Sequence, residues 1–452
     1  MQKADVSKFN PNGAGVQNAN VFGLDFTPQE SNVILIPVPW EATTSYGRGT
    51  AKGPRAIFEA SPQLDLFDAE LAEIGLARPW EFGIYMEPLP HDVRKWNKEA
   101  SKLALPIVKA GGNIGNRKSL HAALAAVNEA STKLNSWVHA RTLKYLDAGK
   151  IVGIVGGDHS VSFGSIQAAA QKFPGLGILH FDAHADLRDA YEGFEYSHAS
   201  IMNNVINRIE QVGTLVEVGI RDFCDSEYLL ATTHPKIKCY FDYQLRQRTA
   251  RGEAFAKICD EVVSHLPEHV YVSFDVDGLD PSLCPSTGTP VPGGLLFGQA
   301  LEMLAALARA GKKVVAFDLN EVAPSGKRGD EWDGNVGARL LYRLCGIALL
   351  TNGARNTLPS FVEKQKSPRS HSKSDLKELN SQELNSQELN SQELKSQKKK
   401  PHEKSSKERG APKKNPEKLR GAVKKATKKA ARTDSTKKKP PGKVSKNSAH
   451  NL

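Results

Sequence analysis

Five short apolar runs, separated by longer amphipathic stretches, constrain the fold of this 452-residue chain more than any other feature. The runs are apolar at consecutive positions, which is typical of strands that helices cover on both faces of a sheet. The stretches between them space their apolar residues three and four apart, as helices do. This alternation predicts an α/β fold with a mostly parallel sheet. The predicted strands are 32–38, 150–155, 177–181, 270–274 and 313–317, and the predicted helices include 119–129, 165–172, 298–310 and 336–350.

The last 90 residues differ in composition from the rest of the chain. From Glu363 to Leu452 there are 26 Lys/Arg and 10 Asp/Glu, a net charge of +16, so the preceding 362 residues carry −5. This segment has no aromatic residue, and residues 378–397 are four tandem pentapeptides. Its isolated apolar residues cannot offset the entropy lost on folding, so we predict a disordered tail. Its lysine clusters fit either a polyanion-binding arm, with nucleic acid as partner, or a solvated tail that keeps the protein soluble.

Acidic and histidine side chains follow three of the predicted strands. They lie in Gly156–Ser160, in His180–Asp186 and in Phe274–Gly278. Unpaired charges are costly to bury, and the carboxyl ends of strands are where open α/β sheets bind ligands. Residues two apart in extended backbone share a face. The pattern therefore predicts that one group of side chains converges: His159, Asp182, His184, Asp186, Asp275 and Asp277.

Four carboxylates and two imidazoles in one small volume predict a metal centre, because like charges need compensation. Oxygen and nitrogen ligands without sulfur suit manganese and, less specifically, nickel, cobalt or zinc. The five cysteines are widely spaced, with no C-x-x-C, and indicate neither a disulfide framework nor a thiolate site. Six ligands exceed the need of one tetrahedral zinc but serve two metals if two carboxylates bridge. Such a pair activates water, so the predicted chemistry is metal-assisted hydrolysis. His180, within an apolar run, is expected to pack or to support a ligand.

The segments 156–160, 182–186 and 273–282 resemble the metal motifs of the ureohydrolase family of arginases and agmatinases. The similarity runs from about Ile34 to Leu350. It implies a three-layer α/β/α fold, two Mn²⁺ per subunit with Ni²⁺ as an alternative, and hydrolysis of a guanidinium to urea and an amine. We therefore divide the chain into an N-terminal extension (1–30), a ureohydrolase catalytic domain (31–358) and the low-complexity tail (359–452).

The resemblance also implies a role for each site residue. Glu321 matches the glutamate that binds the guanidinium, and His198 matches the histidine that shuttles a proton to the leaving amine. Asp186 would accept a hydrogen bond from the attacking hydroxide. One metal would be held by His159, Asp182, Asp186 and Asp275, and the other by Asp182, His184, Asp275 and Asp277, with Asp182 and Asp275 as bridges.

Several loops resemble agmatinases more closely than arginases. The segment 187–193 lacks the Asn- and Ser-rich stretch with which arginases hold the substrate's amino-acid end, and 44–50 also has the agmatinase pattern. Agmatine, hydrolysed to putrescine, is thus the expected substrate, with 4-guanidinobutyrate, guanidine and arginine as alternatives. Arg48 or Arg188 near the pocket would favour a substrate carboxylate instead. The stretch 70–135 has no clear counterpart in the family and would reshape the mouth of the site.

Two hypotheses from other classes remain at this stage. One is a single-zinc deacetylase, and the other is a nucleic-acid-associated protein whose body has lost catalysis. The polar N-terminus and the lack of a long apolar stretch predict a cytoplasmic protein without a membrane anchor. Family members form trimers or hexamers, so the resemblance also implies a homo-oligomer.

Overall fold

The computed structural model describes residues 1–7, 9–13 and 19–356, and these contain one eight-stranded sheet. The strand order is β2-β1-β3-β8-β7-β4-β5-β6, and every neighbouring pair is parallel. The strands are β1 (Val33–Val38), β2 (Ile84–Met86), β3 (Ile151–Gly156), β4 (Leu176–Phe181), β5 (Val212–Ile220), β6 (Ile237–Phe241), β7 (His269–Asp275) and β8 (Lys313–Asn320).

Helices cover both faces of the sheet and complete the three layers implied by the sequence. In β1, Val33 and Leu35 point into one apolar core while Ile34 and Ile36 point into the other, because successive strand residues face opposite sides. The helices are α1 (Gly53–Ala60), α2 (Ala69–Glu73), α3 (His91–Val108), α4 (Lys118–Asp147), α5 (Phe163–Lys172), α6 (Ile201–Arg208), α7 (Asp225–Thr233), α8 (Asp242–Ala250), α9 (Phe255–Ser264), α10 (Phe297–Arg309) and α11 (Trp332–Thr351).

The five strands predicted from apolar runs are confirmed as β1, β3, β4, β7 and β8, with ends shifted by a few residues. Three further strands were missed. β2 has only three residues, β6 is an edge strand with partly exposed positions, and β5 is interrupted by the buried carboxylate of Glu217. The predicted helix at 119–129 is one part of the 30-residue α4. The predicted disordered tail lies outside the described residues.

The strand order opens a crevice at the carboxyl edge of the sheet. β3 and β4 are consecutive in sequence, yet β8 and β7 lie between them. A change of direction of this kind is where α/β sheets bind ligands. The loops after β3, β8, β7 and β4, which carry the predicted site residues, therefore leave the sheet side by side. Among the described helices none has the length and apolarity needed to cross a membrane.

Candidate metal centre and substrate cavity

The six side chains predicted as metal ligands meet at the carboxyl edge of β3, β4 and β7. His159 Nδ1 lies 3.0 Å from Asp182 Oδ2, 3.4 Å from Asp186 Oδ2 and 3.3 Å from Asp275 Oδ2. On the other side of Asp182, His184 Nδ1 lies 3.4 Å from its Oδ1 and 3.1 Å from Asp277 Oδ2. Asp182 thus belongs to two groups of possible ligand atoms, and within each group these atoms lie within 4.8 Å of one another. One group joins it to His159, His180 and Asp186, and the other to His184 and Asp277, so that Asp275 approaches the cluster through His159 and is in neither group.

Local backbone geometry places His159 at this point. A Cβ on Gly157 would overlap the carbonyl oxygen of Trp40, so only glycine lets the chain turn this closely after β3. Asp158, fully buried, accepts a hydrogen bond from Ser160 N at 3.2 Å and caps the short helical turn that begins at His159. Asp158 therefore shapes the turn, and its neighbour supplies the imidazole.

A buried hydrogen-bond chain fixes the tautomer of His159. Ser273 Oγ donates to both carboxylate oxygens of Asp318 at 3.0 Å, and it lies 2.8 Å from His159 Nε2. An ionised carboxylate only accepts, and a hydroxyl has a single proton to donate. Ser273 must therefore accept from His159 Nε2–H. In the neutral imidazole, which is the form that binds a metal, Nδ1 is then the unprotonated nitrogen, and it faces the carboxylates.

A second buried chain lies behind Asp182. His180 Nε2 is 2.9 Å from Asp182 Oδ2, and His180 Nδ1 is 3.7 Å from Glu217 Oε1 on β5. Burial lowers the pKa of His180, but the hydrogen bond to Asp182 raises it, and the pKa is raised to about 9. His180 thus supports a candidate ligand, as the sequence suggested. Glu217 was not predicted, although a carboxylate inside an apolar strand is a usable signal.

The electrostatics of the cluster show that it attracts positive charge. Burial opposes the charged form of both imidazoles, yet bonds and charges from the aspartates raise the pKa of His159 and His184 well above the usual value. Burial and the charge of Asp182 raise the pKa of Asp186, and burial and Asp277 raise that of Asp275. Divalent cations would supply the missing charge, and the oxygen and nitrogen donors fit Mn²⁺ or Ni²⁺.

Glu321 is tied to the same cluster. It follows β8, is 6% exposed, and its Oε1 accepts a hydrogen bond from His159 N at 3.0 Å. Its backbone adopts a φ of +62°, which is strained for a glutamate and is held by bonds to Gly157 O and from Thr287 Oγ1. Burial and the charges of Asp275 and Asp158 raise its pKa well above the usual value. A guanidinium beside this carboxylate would favour its ionised form.

A cavity of about 180 Å³ opens over the cluster. His198 lies in its wall together with His184 and Asp186. Burial, reinforced by the charge of His184, lowers the pKa of His198 to about 4. His198 is therefore neutral at pH 7. The volume suits a small linear molecule and is below the range of drug-sized ligands.

The helices α3 and α4 hold the loop that forms one wall of this cavity. Asn128 of α4 donates to Gly193 O at 3.4 Å and accepts from Glu195 N at 3.1 Å. Phe194, fully buried, packs in a small core with side chains of both helices. The stretch 70–135, which has no clear counterpart in the ureohydrolase family, therefore supports the cavity wall that contains Arg188, Tyr191 and His198.

Of the two arginines expected near the pocket, Arg188 lines the cavity and Arg48 does not. Arg188 Nη2 lies 3.3 Å from Glu227 Oε2, and its guanidinium stands 5.0 Å from the ring centre of Tyr191. Sequence reasoning also missed Arg221, whose guanidinium donates to Asp277 O at 2.6 Å and to Val291 O at 3.0 Å. These bonds hold the end of β5 against the loops after β7.

Similarity to known proteins identifies the family to which this chain belongs. The sequence model of the Arginase family matches residues 31–346, well over half of the chain. The chain belongs to the arginase family. N(1)-aminopropylagmatine ureohydrolase of Thermus thermophilus is 33% identical over 74% of this chain and 96% of its own length. Agmatinase of Pyrococcus horikoshii is 30% identical over 71% of this chain and 93% of its own length. The predicted membership of the agmatinase branch is confirmed, and with it the prediction of a hydrolase that acts on linear amidines.

Two solved structures have a similar fold. Proclavaminate amidino hydrolase from Streptomyces clavuligerus matches with a TM-score of 0.56, covering 75% of this chain and 99% of its own, at 21% identity. The agmatine ureohydrolase of Thermoplasma volcanium matches with a TM-score of 0.54, covering 72% and 93%, at 20% identity. At such identities the likeness concerns the fold alone, and it agrees with the three layers described above.

Proposed function

We propose that this arginase-family protein hydrolyses agmatine to urea and putrescine with the help of two divalent metal ions. The observation that carries the proposal is the meeting of two Asp/His groups that share Asp182, with Glu321 bonded directly to the backbone of His159. The many carboxylates of this site suit a cationic substrate as well as divalent metal ions. Relatives named agmatinase and N(1)-aminopropylagmatine ureohydrolase support the same substrate class.

The proposed roles follow the geometry. When bound, two Mn²⁺ ions, or Ni²⁺ in their place, would activate water for attack on the guanidinium carbon. His159 contributes Nδ1, because Ser273 and Asp318 hold its proton on Nε2. The candidate ligands of the first ion are His159, Asp182, Asp186 and Asp275, and those of the second are Asp182, His184, Asp275 and Asp277.

Three side chains act on the substrate. Glu321 would accept forked N–H bonds from the guanidinium and orient its carbon toward the metal site. Asp186 would accept a proton as the new C–O bond forms. His198, in the cavity wall, would relay a proton to the departing amine nitrogen. Cleavage of the C–N bond then releases urea and a primary amine.

N(1)-aminopropylagmatine is a second candidate substrate. The relatives that are 33% identical to this chain are named for it, whereas the agmatinase of Pyrococcus horikoshii is 30% identical. The two compounds share the guanidinium and differ in the aminopropyl extension at the other end. The metal cluster and Glu321 therefore serve either of them.

The test is urea release from a panel of guanidinium compounds, with Mn²⁺ and Ni²⁺ each supplied. The panel contains agmatine, N(1)-aminopropylagmatine, 4-guanidinobutyrate, arginine and guanidine. We expect the highest kcat/KM for agmatine, and loss of urea release in Asp182→Asn and Asp275→Asn variants. If the metal-replete protein releases urea from none of these compounds, or if the two variants retain full activity, the proposal fails.

A further inference from the structure

The charges at the outer part of the cavity do not balance. Arg188, Asp222 and Glu227 all line it. Arg188 and Glu227 form an ion pair at 3.3 Å, and Glu227 is held in place because it also accepts from Leu187 N at 3.2 Å and from Cys224 N at 3.0 Å. The positive charge of Arg188 is therefore offset by a fixed neighbour. Asp222 is left as the unbalanced charge among these three residues.

Asp222 is placed in the cavity by its backbone. It follows β5, pairs with His184 in a parallel bridge, and donates its N–H to Ala183 O at 3.0 Å. Within residues 1–7, 9–13 and 19–356, its exposed carboxylate has neither a hydrogen-bond partner nor an ion-pair partner. Its backbone is held beside a candidate metal ligand, and its carboxylate, without a partner in the described part of the chain, is available to a bound molecule.

Two aromatic side chains line the same cavity. Tyr191 and Phe223 line the cavity together with Asp222. The ring of Tyr191 already faces the Arg188 guanidinium, 5.0 Å from its centre, and the ring of Phe223 stacks on Tyr228. The two side chains therefore offer apolar contact to an aliphatic chain, while the carboxylate of Asp222 can accept a charge-assisted hydrogen bond from an ammonium. The same surroundings repel a carboxylate. The outer part of the cavity is thus built for the positive end of a linear molecule whose other end reaches the metal cluster.

We propose that Asp222 is a specificity-determining residue that binds the distal ammonium of the substrate. This inference rests on the proposed function and deepens it, since it selects guanidines with a cationic tail over those with a neutral or acidic tail. The sequence suggested that Arg188 would favour a substrate with a carboxylate tail. In the structure, Glu227 offsets the charge of Arg188. The selected class includes agmatine and its N-substituted derivatives.

The experiment compares three substrates that share a guanidinium on a short aliphatic chain. Agmatine ends in an ammonium, butylguanidine in a methyl group and 4-guanidinobutyrate in a carboxylate. We expect the native protein to favour agmatine over butylguanidine in kcat/KM by roughly tenfold or more, the worth of one charge-assisted hydrogen bond. In Asp222→Asn most of this preference should disappear, because kcat/KM falls for agmatine and changes little for butylguanidine. Asp222→Glu should restore part of it.

Asp189→Asn is the matched control. Asp189 is an exposed aspartate of the neighbouring loop that is not among the residues lining the cavity, so its loss changes the net charge equally. It should keep the native preference. The inference is overturned if Asp222→Asn retains the native preference, if it loses all three substrates equally, or if Asp189→Asn has the same effect. Failure of the native protein to hydrolyse any guanidine would instead refute the proposed function itself.

Discussion

Ser273→Ala tests whether the buried chain from His159 to Asp318 prepares the metal site. The variant removes the oxygen that lies 2.8 Å from His159 Nε2 and 3.0 Å from both oxygens of Asp318. Asp318 keeps hydrogen bonds from Phe274 N and Asn320 Nδ2, so its charge stays partly satisfied. His159 Nε2 loses its acceptor, and the proton is then free to move to Nδ1.

The expected cost comes from these contacts. Loss of a partner that orients a metal-binding histidine lowers metal affinity by about 10- to 100-fold, or about 1.4–2.7 kcal/mol. A buried donor left without an acceptor should also lower the free energy of unfolding by about 1–3 kcal/mol. Both effects should be present, because His159 is only 1% exposed and water cannot replace the hydroxyl freely.

Metal affinity is measured by competition with a chelator, and metal content by elemental analysis after dialysis. Ser131→Ala is the control, because Ser131 is a buried serine of α4 whose hydroxyl has no hydrogen-bond partner among the residues that the structure describes. It should leave the dissociation constants within about twofold of the native values, which is small beside the expected effect. If Ser273→Ala binds both metals as tightly as Ser131→Ala does, the tautomer of His159 is not set in this way.

Three further predictions concern the substrate, the cavity wall and the tail. Glu321→Gln should lower kcat/KM by the equivalent of about 2–5 kcal/mol, because the guanidinium loses its charged partner. Elemental analysis should still find both metals in this variant. Loss of metal would instead assign Glu321 a different role. Asn128→Ala should raise KM for agmatine several-fold with little change in kcat, because the wall loses two hydrogen bonds, each worth about 1 kcal/mol. Thr132→Ala is the control, because its hydroxyl donates to Asn128 O of the same helix, and equal KM values in the two variants would contradict the proposed support. Truncation after Leu358 should leave turnover intact and abolish salt-dependent retention on a DNA column, and loss of activity would show that the catalytic domain needs the tail.

Much of the fold could be predicted from the sequence, because the central strands are buried on both faces. β1, β3, β4, β7 and β8 have apolar side chains on both sides and stand out as continuous runs. β5 is interrupted by the buried carboxylate of Glu217, and β6, at the edge of the sheet, has partly exposed positions, so neither forms a continuous apolar run. Their order could not be predicted, because apolar periodicity carries no information on which strands are neighbours.

The candidate metal ligands could be predicted for a similar reason. Asp182, His184 and Asp186, like Asp275 and Asp277, are close in sequence and follow buried strands, so their spacing alone indicates a shared face. The partners that orient His159 are distant from it, because Ser273 lies 114 residues away along the chain. Ser273 and Asp318 lie on neighbouring strands 45 residues apart, and each would be unremarkable without the other.

The sequence by itself predicted the types of the candidate metal ligands, their order along the chain and the α/β fold that gathers them at one edge. Local spacing suffices for this, since each motif completes its own part of the site. Only the tertiary structure decided the tautomer of His159, the offset charge of Arg188 and the free carboxylate of Asp222. These depend on distances between atoms of separate loops, and such distances are set by packing of the whole domain.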